Sequence, residues 1–240
     1  MEEILDLKKL SQTDLHSLIQ FLSQFATEER KLKFNSVLSN RLKNITVVLE
    51  DVFQSHNTSA ILRTCDLLGV QKIHFIENKN RYKISGEVAL GSEQWLSIER
   101  HPYDEENNNT NSCLNTLKNS GFKIVATSPH KNGFTPYNLP IDAPIALVLG
   151  TEKNGISEEV KSCADYFLQI PMYGFTESFN VSVSAGVCLY PICERIRDSG
   201  IDFGFKELEK LQIEINWLLS SIPKSNLLLK EFKKNNKFVN

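Results

Sequence analysis

Five stretches of this chain are nearly continuous in apolar and β-branched residues, and helix-patterned sequence lies between them. They are ITVVLEDV from Ile45, KIHFIEN from Lys72, FKIVATS from Phe122, PIALVLGTE from Pro144 and YFLQIP from Tyr166. A strand that alternates apolar and polar residues buries one face, whereas a strand apolar throughout needs cover on both. Such strands alternating with helices predict an α/β domain with a parallel sheet and helices on both faces. WLSIERHPY, from Trp95, has room for one more strand.

The flanks read differently. Residues 1–43 predict a helical, basic amino-terminal extension, residues 44–198 the α/β domain, and residues 199–240 a helical, lysine-rich carboxyl-terminal extension. A first helix is expected from Thr13 to Phe25, with Leu15, Leu18, Ile19 and Leu22 at helical spacing. A second opens at Thr27, where T-E-E suits an N-cap and an acidic first turn, and runs past Leu38. Asn57 is the expected cap of the helix after the first strand, and Asn180 that of an apolar helix over Val181–Ile196. Pro191 should kink that helix or end it early. DEENNNTN reads as an exposed loop before a helix at about Cys113–Ser120, and Ile170 as the end of a buried strand. Beyond Ser199, Phe205–Leu219 is an amphipathic helix stopped by Pro223, and Leu227–Leu229 is the apolar anchor of the tail.

A formal net charge of −2 gives the chain no global attraction to a polyanion, so such a partner must be met locally. The local candidates are Arg30, Lys31, Lys33, Arg41 and Lys43, read either as a solvated helix face or as a basic arm for phosphates. The 5 cysteines are odd in number and contain no C-x-x-C pair, which argues against a zinc site and a disulfide framework. Reduced thiols in a cytoplasmic protein are the expectation. No apolar run reaches the length of a membrane span, and the first residues lack a signal peptide's apolar core. The first strand is not followed by G-x-G-x-x-G. The stretch Gly150–Gly155 lacks the G-K-[ST] ending of a phosphate loop, and G-x-S-x-G is missing. Dinucleotide binding, Walker-type hydrolysis and α/β-hydrolase chemistry are thereby disfavoured.

Polar residues without an obvious connecting role gather at three strand-to-helix joints. The first carries His56, Asn57 and Arg63, the second Gly150, Glu152, Lys153 and Asn154, the third Glu177, Ser178 and Asn180. Strand carboxyl ends and helix amino ends converge in an open α/β sheet, and ligands bind there. Singly, each set is also what an ordinary joint contains.

Together, NTSAILRTCDLLGV, LVLGTEKNGIS and IPMYGFTESFNVSVSAGV resemble, in order, the three motifs of the SpoU family of RNA ribose 2′-O-methyltransferases, within the SPOUT superfamily. The resemblance covers roughly Leu42 to Arg197. The VVLEDV–HN–AILRTCD run and the basic helix before it are most like the TrmH-like members, which modify guanosine 18 in the tRNA D-loop. The resemblance implies a carboxyl-terminal trefoil knot, a homodimer whose active site draws on both subunits, and S-adenosylmethionine bent among the knot loops. No metal is implied. The matching cofactor positions are Thr127, Leu149, Gly150, Ile170, Met172 and Phe179, with Gly150 letting the adenosyl group approach the main chain. Phe179 departs from the family's more usual leucine, and Glu194 falls where an arginine is more usual, with Arg195 and Arg197 beside it.

Arg63 matches the family's catalytic arginine, which would clamp the phosphate beside the target ribose and polarise its hydroxyl. Asn57, Glu152, Ser178 and Asn180 match the other functional positions, expected to hold Arg63 and the RNA. A free guanidinium keeps its proton at physiological pH, so either the substrate phosphate or an Arg63 in a strongly shifted state would take the hydroxyl proton. The basic residues match the TrmH-like amino-terminal helix in placement, and the lysine-rich tail is a second candidate contact. Two alternatives stay open: ribosomal RNA ribose methylation, and a non-catalytic RNA-binding protein of the same fold.

Overall fold

The computed structural model describes residues 6–104, 109–129, 131, 133–152 and 154–235. In chain order its helices are α1 (Gln12–Ser23), α2 (Glu28–Leu38), α3 (Ser55–Leu67), α4 (Gly86–Ala89), α5 (Asn109–Asn119), α6 (Glu158–Cys163), α7 (Val181–Asp198), α8 (Glu207–Ser221) and α9 (Ser225–Asn235). The strands are β1 (Leu42–Glu50), β2 (Val70–Glu77), β3 (Ser97–Pro102), β4 (Lys123–Thr127), β5 (Ile145–Leu149) and β6 (Tyr166–Leu168). Two compact units result. One spans Leu42–Phe203, and the other combines the described parts of residues 1–41 and 204–240.

In the larger unit all strands join one sheet in the order β3-β2-β1-β5-β4-β6, and every pairing is parallel. Alternate residues of the same strands serve two cores. Val47 and Leu49 of β1 and Leu147 and Leu149 of β5 pack with Ile61, Leu62 and Cys65 of α3 and with Ala185, Cys188 and Ile192 of α7. Val48, Ala146, Val148, Ile124 and Ala126 pack instead with Leu114 and Leu117 of α5 and Val160 of α6. The apolar runs therefore have the cover on both faces that their composition demands. The chain builds β2 and β3 on one side of β1 and places β5, β4 and β6 on the other. The order thus reverses between β1 and β5, and a crevice opens at the strand carboxyl ends of such a switch point.

Several local expectations change. Residues 105–108 lie outside the described residues, but Asn109 and Thr110 are buried and already helical rather than part of an exposed loop. Thr110 is drawn in because its hydroxyl donates to the buried Glu50 (3.0 Å) and accepts from Asn78 Nδ2 (2.9 Å). β6 stops at Leu168, so Ile170 lies beyond the strand. α7 runs through Pro191 without ending there.

In the smaller unit Leu15, Leu18 and Leu22 line the buried face of α1, which packs mainly on α8. Ser11 and Asp14 form a capping box, and the Thr27 hydroxyl accepts from Arg30 N at the start of α2. The tail is helical as α9. Its anchor is Phe232, buried against the ring of Phe21 (5.3 Å between centroids), while Leu227 is exposed. No helix among the described residues is long and apolar enough to cross a membrane.

Candidate active site

The three strand-to-helix joints meet at one carboxamide. Asn57, in the first turn of α3, is buried; its Nδ2 donates to Glu152 Oε1 (2.6 Å) and to Gln54 Oε1 (3.2 Å). Its Oδ1 accepts from Asn180 Nδ2 (3.0 Å). Asn180 is the N-cap of α7, and its own Oδ1 accepts from Ser182 N (2.8 Å) and Ser182 Oγ (2.6 Å). The expected cap role of Asn57 is not taken up: the cap position is Gln54, without a side-chain cap bond. Besides Gln54, the amide is spent on two long-range partners, one of them through a charge-assisted bond.

Beside this junction lies a cleft of about 380 Å³. Thr127, Leu149, Gly150, Ile170, Met172 and Phe179 all line it, as do Glu152 and Ser178. Thr127 is held by a bond from its hydroxyl to Val148 O (2.9 Å). The loop after β5 closes as a small bridge, with Thr151 N donating to Gly155 O and Gly155 N to Thr151 O, both 2.9 Å. That closure accounts for Gly150, because a Cβ there would collide with the Gly155 carbonyl and crowd Ile156 N. The glycine serves its own loop first. Lys153 lies outside the described residues. Cys188 also lines the cleft, but burial pushes its thiol up to about 12, so it offers no thiolate nucleophile at neutral pH.

Arg63 is exposed on α3 and makes no hydrogen bond or ion pair among the described residues. It follows Asn57 by six positions, roughly 9 Å along the axis and on another face. The expected clasp by Asn57, Glu152, Ser178 and Asn180 is therefore not formed among the described residues: Asn57, Glu152 and Asn180 bind one another. Ser178 is exposed at the cleft wall.

Two supports were not read from the sequence. Glu50, buried at the end of β1, accepts from Ser157 N (2.9 Å), Ser157 Oγ (2.7 Å) and Thr110 Oγ1 (3.0 Å), joining β1 to the cap of α6. Asp51 takes up a φ of 53° and accepts from Lys79 N (2.8 Å) and Asn80 N (3.1 Å), which fixes the exit from β1. The available signal was an acidic pair closing an otherwise apolar strand.

The model of the SpoU rRNA Methylase family matches residues 44–190, which contain all three joints. The chain belongs to this family. It is 39% identical over 204 residues, 85% of this chain and 91% of the other, to the tRNA (guanosine(18)-2′-O)-methyltransferase of Borreliella burgdorferi. To the like-named Escherichia coli K12 protein it is 30% identical over 172 residues, 72% of each chain. Among solved structures, the TrmH/SpoU tRNA modifying enzyme of A. aeolicus superposes with a TM-score of 0.73 at 33% identity, over 82% of this chain and 98% of that one.

Outside the SpoU crevice the basic residues part company. Arg30 and Lys33 are exposed on α2, and Lys31 pairs with Glu28 at 2.7 Å. Lys43 sits on β1 rather than on a helix and pairs with Asp202 at 3.3 Å. Arg41 cannot reach a phosphate: it is 1% exposed, with its guanidinium 5.3 Å from the centroid of Trp217. The SpoU domain also leaves Val183, Val187 and Tyr190 exposed along one face of α7.

Proposed function

We propose that this chain methylates the 2′-hydroxyl of a ribose in RNA with S-adenosylmethionine as donor, and that its target is guanosine 18 of the tRNA D-loop. The observation that carries the reading is the bonded meeting of Asn57, Glu152 and Asn180 beside a cleft lined by Thr127, Leu149, Gly150, Ile170, Met172 and Phe179. Family membership and the names of relatives that match most of the chain support the reaction and the target.

The cleft suits the donor chemically. Leu149, Ile170, Met172 and Phe179 offer apolar walls for a nucleobase, and the exposed Ser178 brings a hydroxyl to its edge. Glu152 and Glu177 set negative charge beside it for a cationic ligand. When bound, S-adenosylmethionine supplies an activated methyl group on a sulfonium. The chain's own residues supply position. Asn57 fixes the two loops that form the cleft wall. Arg63, exposed and uncommitted among the described residues, is free to clamp the phosphate next to the target ribose as a planar two-pronged donor. That phosphate then receives the hydroxyl proton, a role Arg63 can take only as a neutral guanidine that has first given up its own.

The rest of the assignment follows from the same reading. The apolar face of α7 at Val183, Val187 and Tyr190 supports a homodimer. A trefoil knot is supported by the way Ser128 and Phe134 both bond to β6, Ser128 N to Leu168 O (3.0 Å) and Phe134 N to Phe167 O (2.9 Å). The free cysteines suit the cytoplasm. We keep residues 44–198 as the methyltransferase domain, with residues 1–43 and 199–240 as extensions that contact RNA through Arg30, Lys33 and the lysine-rich α9.

Two measurements test this. Calorimetric titration should give saturable binding of S-adenosylmethionine to the purified protein, and its absence rules out the enzyme in favour of an RNA-binding protein of the same fold. Mass-spectrometric mapping of ribose methylation in RNA from a deletion strain should show loss at guanosine 18 of tRNA. Loss in ribosomal RNA with intact tRNA would overturn the target.

A further inference from the structure

We propose that His74, Glu99, His101 and Cys113 form a binding site for a divalent transition-metal ion of the zinc class, at the sheet edge remote from the cleft. In the parallel register of β2 and β3, His74 lies opposite Glu99 and Ile76 opposite His101. The two-residue period of a strand puts all four on one face. Ile76 packs in the same cluster as Cys113 and Leu114, so α5 covers that face and supplies the thiol.

The spacing suits an ion. His74 Nδ1 and His101 Nε2 are 3.2 Å apart, and Glu99 Oε2 is 3.5 Å from His74 Nδ1. The ligand atoms of His74, His101 and Cys113 all lie within 4.8 Å of one another. Tetrahedral zinc with Zn–N near 2.0–2.1 Å sets two ring nitrogens about 3.3 Å apart, and with Zn–S near 2.3 Å it sets sulfur about 3.6 Å from each. The imidazoles already have that separation, and from at most 4.8 Å the sulfur needs to close by no more than about 1.2 Å. Two imidazoles, a thiol and a carboxylate are a borderline donor set that favours zinc-class ions over magnesium or calcium. His74 and Cys113 are buried, while Glu99 is exposed and His101 borders a solvent-facing hollow with Pro102, Tyr103, Asn109 and Ser112. The ion thus has a way in.

Burial lowers both imidazoles, His74 to about 4, so each keeps a lone pair at neutral pH. Burial raises the Cys113 thiol to about 12, and its proton passes to solvent as the sulfur–metal bond forms. The site would tie the edge strand β3 to α5. Its ligands come from three separate elements, so no short cysteine spacing announces it in the sequence.

The test uses the full chain, stripped with a chelator and titrated with Zn²⁺ by calorimetry and with Co²⁺ by absorption. The expected result is one ion per chain, a thiolate-to-cobalt charge-transfer band and the visible bands of a tetrahedral site. Both Cys113→Ser and His101→Ala should abolish the bands, and Glu99→Gln should weaken binding by about tenfold or more. Zn²⁺ should raise Tm in the unmodified chain only. Should Cys113→Ser fail to fold, the less buried His101→Ala decides. An absence of saturable binding, or binding that survives either ligand substitution, overturns the site and leaves two neutral imidazoles sharing a hydrogen bond.

Discussion

Asn57 and Arg41 are both buried polar side chains, yet their surroundings are of opposite kinds. Asn57 is tied to Glu152 and Asn180, which lie 95 and 123 residues away in the chain. Arg41 belongs to the helical unit, where it is buried and its guanidinium rests over the ring of Trp217. Around Asn57 the geometry is set by the order of strands, and it holds loops from three parts of the chain together. Around Arg41 it is set by burial against an aromatic ring inside the helical unit. The first arrangement can position a reacting group; the second holds a fold. Substitutions should therefore separate into losses of turnover and losses of stability.

The largest effect belongs to Arg63. Arg63→Ala should lower single-turnover methyl transfer by at least about a hundredfold, the scale of losing one preorganised donor. Calorimetric affinity for S-adenosylmethionine should stay within about twofold, since the cleft lining does not include Arg63. Retained turnover would remove Arg63 from the mechanism. Asn57→Ala comes next. It leaves Glu152 and Asn180 without their shared partner and should cost about 1–3 kcal/mol in urea unfolding, with a parallel loss of cofactor affinity because Glu152 lines the cleft. Asn57→Asp should be worse, as it sets a second carboxylate against Glu152. If unfolding is unchanged in both, Asn57 is not the link between the joints.

Gly150→Ala separates two accounts of one residue. If the glycine chiefly admits the adenosyl group, the ligand-free protein keeps its stability and only affinity falls. The collision with Gly155 instead predicts that the ligand-free protein loses about 1–3 kcal/mol, as overpacked sites do. Thermal unfolding without ligand decides between them.

These differences follow what a sequence carries. The parallel sheet was legible because ITVVLE and IALVL are apolar on both alternating faces, a pattern with few folded solutions. The cleft was legible through the resemblance, since residues of the second and third motifs and Thr127 line one cavity, while the first motif reaches it through the bond of Asn57 to Glu152. The bonds inside the site were not. That Asn57 would turn from capping to riveting depends on Glu152 and Asn180 arriving beside it, which only the strand order brings about. Arg41 was misread for the same reason. Basic residues in a row look equivalent until Trp217, far along the chain, takes one of them in.

The smallest effect tests that last distinction. Arg41→Ala removes a cation–π interaction worth about 0.5–2 kcal/mol together with its packing, so it should lower stability to urea by at least that much. It should leave the salt dependence of tRNA binding unchanged, because a buried guanidinium releases no counterion. Arg30→Ala with Lys33→Ala should do the reverse. Both side chains are exposed on α2, so stability should hold within about 0.5 kcal/mol. For every phosphate that the variant no longer neutralises, the slope of log K against log salt should flatten by nearly one. If the double variant binds tRNA with an unaltered slope, α2 is only a solvated face, and the lysines of α9 become the phosphate-binding groups to test.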